Sequence, residues 1–163
     1  MSIAQAMLAE FEHEAKTTRK FLERIPQDKL GWRPHQKSRA LGELAMHVAN
    51  IPGMAERIAK HDEFSPTGGP PPPAGSAADI VAAFESNLRT AEEALGSMSE
   101  QAALGNWRLT FKGKEIFTKP RVAALRTNML NHMYHHRGQL TVYLRLNDET
   151  VPAIYGPSAD EGK

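Results

Sequence analysis

Residues 121–147 read RVAALRTNMLNHMYHHRGQLTVYLRLN. Within them Val122, Leu125, Met129, His132, His136, Leu140 and Tyr143 recur in steps of three and four, the spacing of one helical face. Pro120 stands just ahead, a residue suited to a first helical turn, and Asn147 can close the helix. Two histidines thus occupy face positions where Leu or Ile is expected. Working outward, three more stretches carry the same periodicity. Ala4, Leu8, Phe11, Ala15, Thr18, Leu22 and Ile25 form the first, ended by Pro26. Ala40, Leu44, His47, Ile51, Met54 and Ile58 form the second, from Ser38 as N-cap to about Lys60, with Pro52 predicting a kink. Val81, Phe84, Leu88, Ala91, Leu95 and Met98 form the third, opened by Ser76 with Asp79 in place of the usual capping-box Glu. Four amphipathic helices with narrow apolar faces predict an all-α four-helix bundle. The length of 163 residues fits a single domain over 1–163.

The connections differ in kind. Asp62 to Gly75 contains Pro66, Gly68, Gly69 and the run Pro70 to Pro73. A polyproline segment advances about 3.1 Å per residue, enough to run the length of a helix, so a long crossover between helices two and three is expected. Between helices three and four, Trp107 to Phe111 and Glu115 to Phe117 read as two short strands about Lys112-Gly113, a candidate β-hairpin. Thr150 to Lys163 is non-helical and punctuated by Pro and Gly, with Val151, Ile154 and Tyr155 available for packing.

Twenty basic residues against nineteen acidic leave a formal net charge of +1, which gives no electrostatic case for a nucleic-acid partner. There is no cysteine, so a metal must be held by nitrogen and oxygen, and thiol chemistry must bring its sulfur with a substrate. No segment approaches the roughly 18 apolar residues of a membrane helix. Met1 to Glu10 lacks the basic start and apolar run of a signal peptide. A cytoplasmic protein without a membrane partner is the expectation.

Of seven histidines, His13 shares a face with Glu10, Lys16 and Lys20, His35 and His61 fall in loops, and His135 joins a polar stripe with Asn128, Asn131 and Gln139. His47, His132 and His136 alone lie on apolar faces. An unpaired buried polar group costs roughly 1–3 kcal/mol, so three such rings need partners. His132 and His136 are four apart, which puts their Cβ atoms about 5–6 Å apart on one face. A ring from a facing helix completes a three-nitrogen set, and three protein ligands with an exchangeable position is the pattern of catalytic rather than structural zinc sites. A lone face histidine is more often a hydrogen-bonded core residue; the threefold combination favours one divalent metal ion, with zinc and nickel ahead of copper and iron. Glu43, Asn50 and Asn128 lie one turn from ligands and are candidate second partners for the rings. Arg137 is a candidate for holding an anionic substrate. Tyr134, Trp32, Trp107 and Tyr155 read as packing before pocket lining. No nucleophile elbow, phosphate loop or dinucleotide fingerprint is present.

The stretch Asn131-His132-Met133-Tyr134-His135-His136-Arg137-Gly138-Gln139-Leu140 resembles the signature of the DinB/YfiT-like superfamily. Gly31-Trp32-Arg33-Pro34-His35, Leu41 to His47 and Pro152 to Ser158 are similar to other segments of that family, in the right order. The resemblance implies a four-helix bundle with a long crossover, often dimeric, and a metal triad at His47, His132 and His136. It also implies metal-dependent chemistry, thiol S-transfer or hydrolysis among it, with a low-molecular-weight thiol as co-substrate.

Three functions follow from these residues. The first is a metal-dependent enzyme acting on a small electrophilic molecule, with Arg137 holding a carboxylate of thiol or substrate. The second is a non-catalytic, stress-related binder whose site is closed by a fourth side chain such as Glu43 or His135. The third is a helical interaction module with three hydrogen-bonded core histidines and no metal.

Overall fold

The computed structural model describes residues 1–66 and 74–162. Gly68, Gly69 and the run Pro70 to Pro73, the middle of the expected long crossover, lie outside the described residues. The chain is mostly helical, with a small three-stranded sheet.

Helix α1 spans Ile3–Leu22, and Ser2 caps it by accepting from the Gln5 N–H while the Gln5 side chain accepts from the Ser2 N–H. Helix α2 spans Leu41–Asn50, a 3-10 turn covers Ile51–Gly53, and α3 spans Met54–Lys60. The break falls at Pro52, where the sequence places it. Ala40, not Ser38, is the N-cap of α2; the Glu43 carboxylate reaches back to the Ala40 N–H at 2.7 Å. Alanine has no capping oxygen; the Leu41 and Gly42 N–H groups at the helix start donate instead to the Trp32 and Leu30 carbonyls, at 2.8 and 2.9 Å. Helix α4 spans Ala77–Gly96, and the Ser76 hydroxyl accepts from the Asp79 N–H at 3.1 Å.

Contacts fix the helix directions. Ala74, next to α4, lies with Leu30 and Gly42 at the start of α2, and Asn87 donates to the Ala49 carbonyl at its end. Helix α4 therefore runs parallel to α2.

A short helix, α5 (Glu100–Leu104), leads into the sheet. Strand β2 (Asn106–Phe111) pairs antiparallel with β3 (Lys114–Pro120). Lys112 and Gly113 join them with φ of +50° and +74°, positive at both central positions of the two-residue turn. Strand β1 (Glu63–Phe64) pairs parallel with β2 on its other edge, a third strand beside the two read from the sequence. Two residues are too few for any period to show. Trp107 is fully buried beneath the sheet.

The last helical stretch is continuous but not uniform. Helix α6 spans Arg121–Leu125, a π turn covers Arg126–Asn131, and α7 spans His132–Leu146. Thr127 and Asn128 bond back to the Ala123 and Ala124 carbonyls, patching acceptors in the widened turn. The buried line here is Met129, Met133, Arg137, Leu140 and Leu144. It runs one step over from the face expected through His132, His136 and Tyr143, which are half-buried. A π turn closes its hydrogen bonds five residues apart and so shifts the phase of the face.

The C-terminal segment packs. Val151 is buried, the Ser158 hydroxyl donates to the Val151 carbonyl at 2.7 Å, and Glu161 pairs with Arg24. No helix among the described residues is long and apolar enough to cross a membrane.

Candidate metal centre

Helices α2 and α7 run antiparallel, since Tyr143 Oη donates to the Arg39 carbonyl at 3.1 Å while His47 meets His132 further along. That crossing brings His47, His132 and His136 together. Each is half-buried, and one nitrogen from each ring lies within 4.8 Å of the others. The ring centroids are 4.9 Å apart for His47 and His132, 4.5 Å for His47 and His136, and 4.7 Å for His132 and His136. Nε2 of His47 and Nε2 of His132 are 3.1 Å apart.

These distances fit a metal. A tetrahedral zinc with Zn–N of about 2.0–2.1 Å sets its ligand nitrogens about 3.3 Å apart. The His47–His132 pair is close to that spacing, and His136 offers a nitrogen within 4.8 Å of both. Nitrogen donors suit zinc, copper, iron and nickel alike.

Proton affinity is tuned the same way in all three. His47 is pushed down to about 3, first by burial, then by the positive charge of Arg39 and by the two neighbouring rings. Burial is also the largest cause of the lowering at His132 and His136, with a hydrogen bond to the Asn128 backbone and to Gln139, respectively, working against it. The rings are therefore neutral at pH 7, the form in which imidazole binds a metal.

The fourth position is not filled by a side chain among the described residues. Glu43 caps Ala40 and lies 3.9 Å from Arg33, and His135, exposed beside His136, is outside the group. Three nitrogens with an open position is the arrangement that admits an exchangeable ligand.

The remaining candidates separate clearly. Asn50 bonds to the Met46 carbonyl and to Asn87, and not to His47. Asn128 turns its side-chain amide to the Ala124 carbonyl at 3.0 Å, and not to His132. Gln139, missed in the sequence, accepts from His136 Nδ1 at 2.7 Å. It lies three residues on from His136, a spacing that makes neighbours on a helix and could have flagged it. Arg137 is not brought to the histidines. It is 1% exposed and turns to α1, where its guanidinium donates to Glu14 Oε2 at 2.6 Å, to Thr18 Oγ1 at 3.1 Å and to Tyr155 Oη at 2.8 Å. Trp32 and Tyr143 stack edge-on at 5.7 Å, and Tyr134 donates to Glu10 at 2.8 Å.

The family model of the DinB family matches residues 1–163. The chain belongs to the DinB family. Its relative YrdA of Bacillus subtilis (strain 168), itself uncharacterized, is 29% identical over 154 residues, which is 94% of this chain and 89% of that one. The fold matches the crystal structure of a DinB-like protein from Bacillus cereus with a TM-score of 0.72 at 24% identity, covering 93% of this chain and 97% of that one. It matches the DinB-like protein YjoA of Bacillus subtilis with a TM-score of 0.71 at 18% identity, covering 92% and 97%. Within this DinB fold the three histidines form a cluster that could hold a metal ion.

Proposed function

We propose that this DinB protein is a metal-dependent enzyme that joins a low-molecular-weight thiol, or water, to a small electrophilic molecule, with His47, His132 and His136 as ligands of one zinc or nickel ion. In this reading α2–α3 and α6–α7 each count as one interrupted helix, which makes the chain a four-helix bundle. The observation that carries the proposal is the set of three neutral, half-buried imidazoles with no fourth side-chain ligand among the described residues. A closed, purely structural site needs that fourth ligand.

A divalent ion held there lowers the pKa of a thiol or water at its open position. The chain's own residues do the rest. The half-buried rings limit access of bulk water. Arg39 is exposed, and its side chain makes no hydrogen bond or ion pair with another described residue, while its charge reaches all three rings. We assign it, in place of the internally paired Arg137, the task of holding a carboxylate of the thiol or the electrophile. In the transfer step the S–C bond forms, the bond from carbon to its leaving group breaks, and the thiol proton passes to solvent. The cytoplasm and a homodimer are proposed from the family resemblance; light scattering on the purified protein tests the second.

The test is product formation by zinc- or nickel-loaded protein, supplied with a panel of small thiols and an aryl halide. Thioether that depends on loading, and disappears in the His132→Ala/His136→Ala variant, supports transfer. Product formed without thiol points to hydrolysis. No metal-dependent product with any thiol or with water counts against an enzyme.

A further inference from the structure

We propose that the cavity between Arg33 and Glu43, at the start of α2, seats the carboxylate and ammonium of an amino-acid thiol, whose sulfur is the group delivered to the metal centre. The inference names the thiol class for the reaction proposed above and rests on that reading for its purpose; the seat itself stands on the cavity.

The walls are fixed by backbone. Residues 30–32 are tied to the first turn of α2 by two bonds, from the Leu41 N–H to the Trp32 carbonyl at 2.8 Å and from the Gly42 N–H to the Leu30 carbonyl at 2.9 Å. Beside this double tie lies a cavity of about 190 Å³, many times the roughly 10–15 Å³ that one water needs. Leu30, Ala40 and Ala74 supply apolar wall, and Arg33 and Glu43 are the charged residues that line it.

The two charges are not spent on each other. Their closest approach, Arg33 Nη2 to Glu43 Oε2, is 3.9 Å, well beyond the roughly 2.7–2.9 Å of a charge-assisted hydrogen bond. Glu43 Oε2 accepts from the Ala40 N–H at 2.7 Å. Among the described residues, Glu43 Oε1 and the Arg33 guanidinium have no hydrogen-bond partner. The cavity thus holds a planar fork of donors without an acceptor and a carboxylate oxygen without a donor. A carboxylate on Arg33 and an ammonium on Glu43, both carried on one carbon, answer the two together, and that carbon is the α-carbon of an amino acid. A simple acid leaves Glu43 unanswered, and a simple amine leaves Arg33. A few convergent polar groups in an apolar-walled cavity is the usual form of a small-molecule site.

Position ties the seat to the centre. His47 follows Glu43 by four residues on α2, so their Cβ atoms lie about 5–6 Å apart on one face. A ligand seated by its amino-acid end has its side arm one helical turn from the histidines. The chain has no cysteine, so the sulfur of a thiol reaction must arrive on such an arm. Arg39 is then left for a carboxylate of the electrophile.

The first experiment needs neither metal nor turnover. S-methyl-L-cysteine is titrated into the metal-free full chain while backbone amides are followed by NMR. Saturable shifts are expected at Gly31, Arg33, Gly42 and Glu43. 3-(Methylthio)propanoate, which lacks the ammonium, and 2-(methylthio)ethylamine, which lacks the carboxylate, should bind about tenfold or more weakly. Arg33→Gln and Glu43→Gln should each weaken S-methyl-L-cysteine to a similar degree; glutamine keeps an oxygen for the Ala40 N–H, so the start of α2 is retained. No saturable shift, equal binding of the three compounds, or wild-type binding in either variant overturns the seat. The second experiment is turnover by zinc- or nickel-loaded protein. KM for L-cysteine should lie about tenfold or more below KM for 2-mercaptoethanol, and Arg33→Gln should erase that ratio. Equal KM values in the wild type overturn the delivery role. Seating of S-methyl-L-cysteine in a protein that gives no metal-dependent product sinks the enzyme reading and leaves the seat, whereas product from 2-mercaptoethanol without seating sinks the seat and leaves the enzyme reading.

Discussion

Replacing Arg137 by Met should destabilise the protein strongly while leaving the histidine cluster intact. The guanidinium and the Glu14 carboxylate are 2% and 8% exposed at their side chains, so the pair is shielded from water. Arg137→Met leaves the Glu14 carboxylate with Tyr155 Oη, at 3.1 Å, as its remaining side-chain partner. Breaking a buried pair from one side costs about 3–5 kcal/mol, because a charge is left without compensation. For a domain of this size each kcal/mol moves the melting temperature by about 2–4 °C, so a fall of about 6–20 °C is expected. Urea unfolding followed by circular dichroism measures the free energy directly. The control is Glu14→Leu with Arg137→Met, which removes both charges; it should return to within about 2 kcal/mol of wild type, since apolar replacement of a buried pair is often near neutral. Zinc stoichiometry should be unchanged in the single variant at a temperature where it is folded. A loss below about 1 kcal/mol, or loss of metal with the fold retained, would refute the assignment of Arg137 to the interior rather than to substrate.

Other expectations follow from the same contacts. Gly42 packs on Leu30, where an added Cβ meets Leu30 Cβ and carbonyl oxygen at 3.1 Å, so Gly42→Val should lower stability by about 1–3 kcal/mol in urea titrations; a neutral result means the loop ahead of α2 is not held by this contact. Because His47 sits at about 3 when folded and near 6.5 when unfolded, the unfolded chain binds more protons between those values. Metal-free stability should therefore fall as pH drops from about 6.5 toward 3, and a His47→Gln variant should show a shallower fall. A urea midpoint equal at pH 7 and pH 5 contradicts this. Arg39→Gln should raise KM for a carboxylate-bearing substrate about tenfold or more with little change for a neutral analogue; equal effects on both remove Arg39 from substrate recognition.

Much of the centre was legible because histidine on an apolar face is costly and the 47, 132, 136 pattern has few cheap explanations. The helix breaks at Pro52 and the caps at Ser76 and Asn147 were legible for the same reason: each is a local chemical event. What escaped depended on distant partners or on phase. The π turn keeps the spacing of Leu125, Met129 and His132 looking regular while rotating the buried line onto Met133 and Arg137. Glu14 stands three residues after Phe11 and four before Thr18, squarely on the buried face of α1, but only the folded chain shows that Arg137 meets it there. Ser38 has no capping role because the helix starts at Leu41, where the first N–H groups meet the Trp32 and Leu30 carbonyls of the preceding loop. Strand β1 was too short to carry a pattern.

The central claim is tested most directly by metal content. Protein purified without an affinity tag, reloaded with zinc or nickel and analysed by mass spectrometry, should hold about one divalent ion per chain, lost in the His132→Ala/His136→Ala variant. A wild type that stays metal-free, or a variant that keeps its ion, would contradict a centre built on His47, His132 and His136.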